Sequence, residues 1–138
     1  MSYKIVWLPF LALIITQIIK IIIDAKHNKF SWKDFNSYGG MPSAHSAMVT
    51  ALVFEMGQLT GFYSPYTAIS AVFAFLMIRD AVGIRFKLGK HAKILNMLIQ
   101  DLPDYKEDKY PYLEERLGHT YLQAGVGMIV GVLTSLIF

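Results

Sequence analysis

Within a chain that is 54% hydrophobic, the stretch GGMPSAHSAM over residues 39–48 gathers two serines and a histidine behind a pair of glycines. Glycines permit unusual backbone angles and Pro42 suits a first helical turn. The stretch therefore predicts a helix start whose unpaired N–H groups, with the Ser43 and Ser46 hydroxyls, form an anion site. His45 then stands beside a bound phosphate. A second histidine, His119, follows Gly118 at the start of another apolar run. Two histidines facing one phosphate from different helices suit a two-step transfer, one attacking phosphorus and the other protonating the leaving alkoxide. Lys20 and one or both of Arg79 and Arg85 supply positive charge for the phosphoryl oxygens, the role a metal plays elsewhere. Asp80 either joins this site or forms a structural ion pair with a neighbouring helix.

Each of these residues also has a plainer reading. A single histidine near a helix start is commonly a cap or a satisfied buried residue, and Lys20 near the end of a span can snorkel to the interface. Their gathering at one membrane face favours the site, because ionisable groups inside spans are expensive and persist in pairs or around function. His45, Asp80 and His119 lack the i, i+3 or i+4 spacing of helical metal ligands, so no metal or other cofactor is expected.

The elements that position them are read from hydropathy. Charged residues make up 17% of the 138 and cluster in two stretches, leaving long runs almost free of charge. Four runs approach the ~20 residues needed to cross a bilayer, at about 5–23, 43–62, 66–84 and 121–138. The first lacks a strong basic lead and a small-residue cleavage site, so it reads as a retained span rather than a signal peptide. Between the third and fourth lies a polar segment, 85–118, read as a lid. Within it GKHAKILNMLIQDL places Ile94, Leu95, Leu98 and Leu102 at helical spacing, an amphipathic helix ended by Pro103. The expected fold is all-α, a single small polytopic membrane bundle of about four transmembrane helices plus this amphipathic helix. Gly127 and Gly131 form a small-xxx-small pair for packing inside the bundle. Glu55 lies about 15 Å along its helix from His45 at ~1.5 Å per residue, too far to share its site.

Four spans put both termini on one side with only Lys4, and the two long loops on the other with the remaining twelve Lys and Arg. By the positive-inside rule the loop side, which holds the two histidines, is cytoplasmic. With a net charge of +3 and no cysteine, the chain reads as neither a nucleic-acid binder nor a disulfide scaffold.

GGMPSAHSAM, RDAVGIRFKLGKHAKILN and LGHTYLQ, in this order and with these gaps, resemble the divergent branch of the type 2 phosphatidic acid phosphatase superfamily, also described as acid phosphatase/vanadium-dependent haloperoxidase-related membrane proteins. The resemblance runs almost end to end. It implies a helical bundle of metal-independent phosphatases with His119 as nucleophile, His45 as general acid, and Lys20, Ser43, Arg79 or Arg85 near phosphate. Several positions depart from the wider pattern. Ala44 replaces a glycine, His27 and Asn28 stand where an Arg-Pro pair is usual, and Gln123 occupies the place of the carboxylate that orients the nucleophile. Arg79 and His91 stand where the divergent branch more often has Tyr and Gln.

The expected function is hydrolysis of a lipid or isoprenoid phosphate through a phosphohistidine, at an integral site in a bacterial cell membrane facing the cytoplasm. The alternative is a catalytically silent phospholipid- or phosphoanion-binding membrane protein with a transport or assembly role. Expected partners are the phosphorylated substrate and the bilayer, and a bundle this thin leaves room for a homo-oligomer.

Overall fold

The computed structural model describes residues 3–26, 40–103 and 109–138. Those residues form α1 (Lys4–Lys26), α2 (Ala44–Thr60), α3 (Pro65–Val82), α4 (Ile84–Gln100) and α5 (Tyr121–Ile137). Most of the first loop, with His27, Lys29 and Lys33, and residues 104–108 of the polar segment lie outside the described residues.

The chain is an all-α membrane bundle, and its side chains are sorted for lipid rather than for water. The buried stripe of α1 is Leu8, Ala12, Thr16 and Lys20, one residue per turn, while Val6, Trp7, Phe10, Ile14, Ile18 and Ile22 point outward. In α5 the interior holds Ala124, Gly127, Gly131, Thr134 and Ser135, and the exterior Leu122, Ile129, Leu133 and Leu136. Small and hydroxylated residues inside with large apolar residues outside is the reverse of a water-soluble bundle. Lipid tails exert no hydrophobic drive between helices, so close packing of small residues does the joining. Buried hydroxyls are satisfied locally, as where Thr16 donates to the Ala12 carbonyl at 2.6 Å. With 23 residues at ~1.5 Å each, α1 is about 35 Å long, ample for the ~30 Å hydrocarbon layer.

Helix α2 occupies the centre, packed against α1, α3 and α5. From Ala44 to Gly57 only His45 is exposed. Shielding by three neighbours explains why this helix tolerates Ser46, Thr50 and a buried Glu55. Its junction with α5 is close at two glycines. A Cβ on Gly127 would lie 2.3 Å from the Ser43 carbonyl oxygen, and one on Gly131 2.3 Å from that of Ala47. The two contacts advance by four residues on both helices, so α2 and α5 run parallel, both starting at the site end. The small-xxx-small pair thus serves packing within the bundle, as expected. At the opposite end Lys4 Nζ donates to the Phe138 carbonyl, placing the two ends of the described chain together.

The polar segment differs from expectation. The amphipathic helix begins at Ile84, well before Gly89, and ends at Gln100 rather than running on to Pro103. Only Gly83 separates it from α3. A Cβ there would clash with the Arg79 carbonyl at 2.7 Å, so glycine permits the α3–α4 junction. The segment after α4 returns as a strap over it, residues 112–119. Asn96 Nδ2 donates to the Leu113 carbonyl and to Glu115 Oε1, both at 2.9 Å, and its Oδ1 accepts Leu113 N–H at 3.0 Å. The strap crosses Gly89 so closely that a Cβ there would meet the Glu115 carbonyl at 2.6 Å.

Candidate active site

The strap ends at His119, and three backbone features hold it. Helix α3 stops at Val82, so its last carbonyls lack intrahelical partners. That of Ala81 accepts the His119 N–H at 3.0 Å. Gly118 has φ of 77°, and a Cβ there would strike Phe86 N at 2.3 Å and the Ala81 carbonyl at 2.7 Å, so only glycine fits. On the other side, the Gly40 carbonyl accepts from His119 Nδ1 at 3.2 Å. A carbonyl can only accept, so Nδ1 carries the proton and Nε2 is the nitrogen available for chemistry.

His45, at the second position of α2, lines one cavity of about 50 Å³ with His119, Asp80, Arg85, Met77, Ala81 and Gly118. A water needs roughly 10–15 Å³ of such space, so the cavity is scaled to a phosphoryl group and not to a lipid tail. His119 is buried, and burial is the main reason its pKa is lowered from the ordinary 6.5. The bond to Gly40 acts in the opposite direction, and the charges of His45 and Lys20 add to the lowering. The imidazole is therefore held neutral at pH 7, as a nucleophile requires.

Of the two arginines, Arg85 reaches this cavity and Arg79 does not. Arg79 lines a separate opening of about 460 Å³ with Lys87 and Tyr121, at which Asp80 is shared. Arg85 Nε donates to Asp80 Oδ2 at 2.6 Å, so the first charge-neutralising partner of Arg85 is already present. Lys20, 7% exposed, lies on the far side of His119, in an opening of about 350 Å³ that it shares with Gly40, Arg116, Gly118, Thr120 and Gln123. Its stem packs on Gly40, where a Cβ would come within 2.7 Å of Cε. The cation is close enough to His119 to act on its charge.

Ser43 and Ser46 are wholly buried at the start of α2. Ser43 is the N-cap, accepting from Ser46 N–H at 3.4 Å and from Ser46 Oγ at 3.0 Å. The pair closes the helix end beneath His45, while Pro42 precedes the cap instead of opening the first turn. Gln123 completes a capping box at α5: its Oε1 accepts Thr120 N–H at 2.9 Å, and Thr120 Oγ1 accepts Gln123 N–H at 3.3 Å. It lies near His119 and favours the charged ring weakly, but His119 Nδ1 donates its hydrogen bond to the Gly40 carbonyl.

Sequence reasoning missed Gly40 and Ala81 as site residues because both act through backbone carbonyls, which no side-chain pattern marks. The glycine pair before Pro42 was the available signal for the first. Glu115, held by Asn96 and Tyr112, has its pKa lowered chiefly by the Asn96 hydrogen bond, and Tyr112 is raised chiefly by the one it makes to Glu115. Among the described residues no group of three His, Asp or Glu side chains lies together as a metal site.

The sequence profile described as "Divergent PAP2 family" matches residues 1–134. A protein of Bacillus subtilis (strain 168) described as "Uncharacterized membrane protein YuiD" is 36% identical over 138 residues, covering 91% of this chain and 87% of its own. No solved structure matches the chain.

Proposed function

The chain belongs to the divergent PAP2 family, a branch of the type 2 phosphatidic acid phosphatases, and on that premise we propose that it hydrolyses a lipid or isoprenoid phosphate through a phosphohistidine. The observation that carries the reading is the single small cavity that joins His45 and His119 with Arg85. In the proposed sequence, His119 Nε2 attacks phosphorus and the bond to the leaving oxygen breaks as His45 delivers a proton to it. Water then attacks phosphorus, its proton passing to His45, as the P–N bond breaks and returns its electron pair to His119 Nε2, and phosphate departs. Arg85 turns from Asp80 toward the phosphoryl oxygens, and Lys20 adds charge near the nucleophile, so the scheme calls on no metal.

Depth in the membrane sets the substrate class. The cavity lies where α2 and α5 begin and α3 ends, the level at which amphiphiles present their phosphates, while the lipid tails stay among the outward Leu and Ile side chains. The charge asymmetry of the loops supports a cytoplasmic orientation of this end in a bacterial cell membrane. A C-terminal reporter active only outside the cytoplasm should therefore be active, and silence there would reverse the orientation.

The test of the reaction is trapping. Incubation with a ³²P-labelled lipid phosphate and rapid quenching at alkaline pH should label the protein, and His119→Ala should abolish the label. With p-nitrophenyl phosphate, whose leaving group needs little protonation, His45→Ala should still acquire it. A second reading is favoured by Gln123, which brings no charge where relatives of the wider superfamily have a carboxylate: a phosphoanion-binding protein without turnover. Vanadate binding that depends on Arg85, with no label on any substrate tried, would select it.

A further inference from the structure

Among the described residues, helix α4 combines large outward-facing apolar residues with a basic flank. Ile84, Leu88, Leu95 and Leu98 fall within about a quarter of the helical circumference at ~100° per residue, forming a stripe that also holds the exposed His91 at mid-length. They are 66%, 49%, 46% and 59% exposed. The adjoining face, Gly89, Ala92 and Asn96, is taken by the strap, so α4 is held to the protein along one side only. Lys87, Lys90 and Lys93 lie outside both faces, all exposed, with Lys90 Nζ 4.7 Å from the centre of the Phe86 ring. Helix α4 contains no acidic residue.

Its place in the bundle limits what can cover the stripe. Helix α3 uses 18 residues, about 27 Å at ~1.5 Å each, which nearly exhausts the hydrocarbon layer. Helix α4 therefore starts at the interface, one residue beyond the end of a span. Standing out into water, it would expose four large apolar side chains on one face. Lying along the surface, it buries them between headgroups, and Lys87, Lys90 and Lys93 meet lipid phosphates.

We infer that α4 is an interfacial anchor, with Ile84, Leu88, Leu95 and Leu98 inserted into the leaflet and Lys87, Lys90 and Lys93 bound to anionic phospholipid. The inference stands apart from the enzymatic reading, because it uses none of the cavity's chemistry. Its consequence for the cavity is positional: the first turn of this anchor carries Arg85.

The chain has no cysteine, so single labels are clean. Leu95→Cys, Leu88→Cys and Lys90→Cys, each carrying a bimane fluorophore, are reconstituted into vesicles of phosphatidylcholine with or without phosphatidylglycerol. Brominated acyl chains should quench the probes at 88 and 95, aqueous iodide the probe at 90, and phosphatidylglycerol should strengthen the first effect. Replacing Lys87, Lys90 and Lys93 with Gln in the Leu95→Cys protein should remove that dependence on phosphatidylglycerol. Equal iodide quenching at 88, 90 and 95 would overturn the inference. So would shielding of position 95 from both quenchers, which means that a protein surface, including a second copy of this chain, covers the stripe. Quenching by brominated chains that is indifferent to phosphatidylglycerol would overturn the anionic assignment.

Discussion

His119 Nδ1 and the carbonyl oxygen of Gly40 lie 3.2 Å apart, although 79 residues separate them in sequence. The contact fixes the tautomer of a buried imidazole with an acceptor that cannot itself titrate. In the serine hydrolases a carboxylate does this and also stabilises the charged ring. Here the orienting half is supplied by backbone and the charge-stabilising half is not, while Lys20 on the same side disfavours charge.

The first prediction concerns pH. Because the pKa of His119 in the fold lies below the ordinary 6.5, neutral imidazole persists into more acid solution. The acid limb of kcat/KM should fall below pH 6.5. Stability should decrease as pH drops from above 6.5 through the folded value, since the unfolded chain takes up this proton first. Lys20→Met removes a neighbouring cation and should move the limb upward, and a limb that stays in place would show that Lys20 does not act on His119.

The arginines should separate sharply. Arg85→Gln should lower turnover by roughly 10²–10³, the range for loss of one transition-state donor. Arg79→Gln, which lies in a different opening, should stay within about threefold, as expected for a surface change. Steady-state kinetics on the two variants decide it, and equal losses would mean that the cavity admits both side chains when substrate is bound.

Gln123 serves the cap of α5, while the acceptor for His119 Nδ1 is the Gly40 carbonyl. Glu fits the third position of a capping box as well as Gln does, so Gln123→Glu should leave thermal stability nearly unchanged and turnover within a few fold. Gln123→Ala should lose about 0.3–1.5 kcal/mol with the cap. A tenfold or greater rise in turnover for Gln123→Glu would show that this residue, and not Gly40, governs the nucleophile.

Gly131→Leu tests the α2–α5 junction. Even a Cβ at this position would be 2.3 Å from the Ala47 carbonyl, so the larger side chain must push the helices apart. We expect a loss of at least about 1–3 kcal/mol in detergent, read as a lower unfolding temperature. Gly125→Leu is the control, because a Cβ there meets nothing within 4 Å.

Much of this was legible in the sequence. Hydropathy found the spans because lipid imposes length, and the histidines drew notice because polar residues at span ends are rare. The choice between Arg79 and Arg85 was not legible. It depends on a one-residue break at Gly83, which carries Arg85 onto α4 and turns it toward His45. The roles of Ser43 and Ser46 were half legible: the helix start was visible, but a hydroxyl that caps a helix and one that awaits an anion look alike until burial is known. That Asn96 would clamp the strap carrying His119 depends on a pairing across 17 residues that no local pattern encodes.

The close seat of α5 on α2 also sets an order of events during synthesis. Helix α2 is the span least suited to lipid, with Glu55, His45 and buried hydroxyls, and it needs flanking helices to remain in the bilayer. Helices α1 and α3 leave the ribosome on either side of it, but the surface formed by Ser43 and Ala47 waits for Gly127 and Gly131. His119 enters just ahead of them. A nascent chain whose α5 is still inside the ribosome thus has His45 in the membrane and no partner facing it, so the cavity shared by the two histidines is completed only when α5 has been inserted.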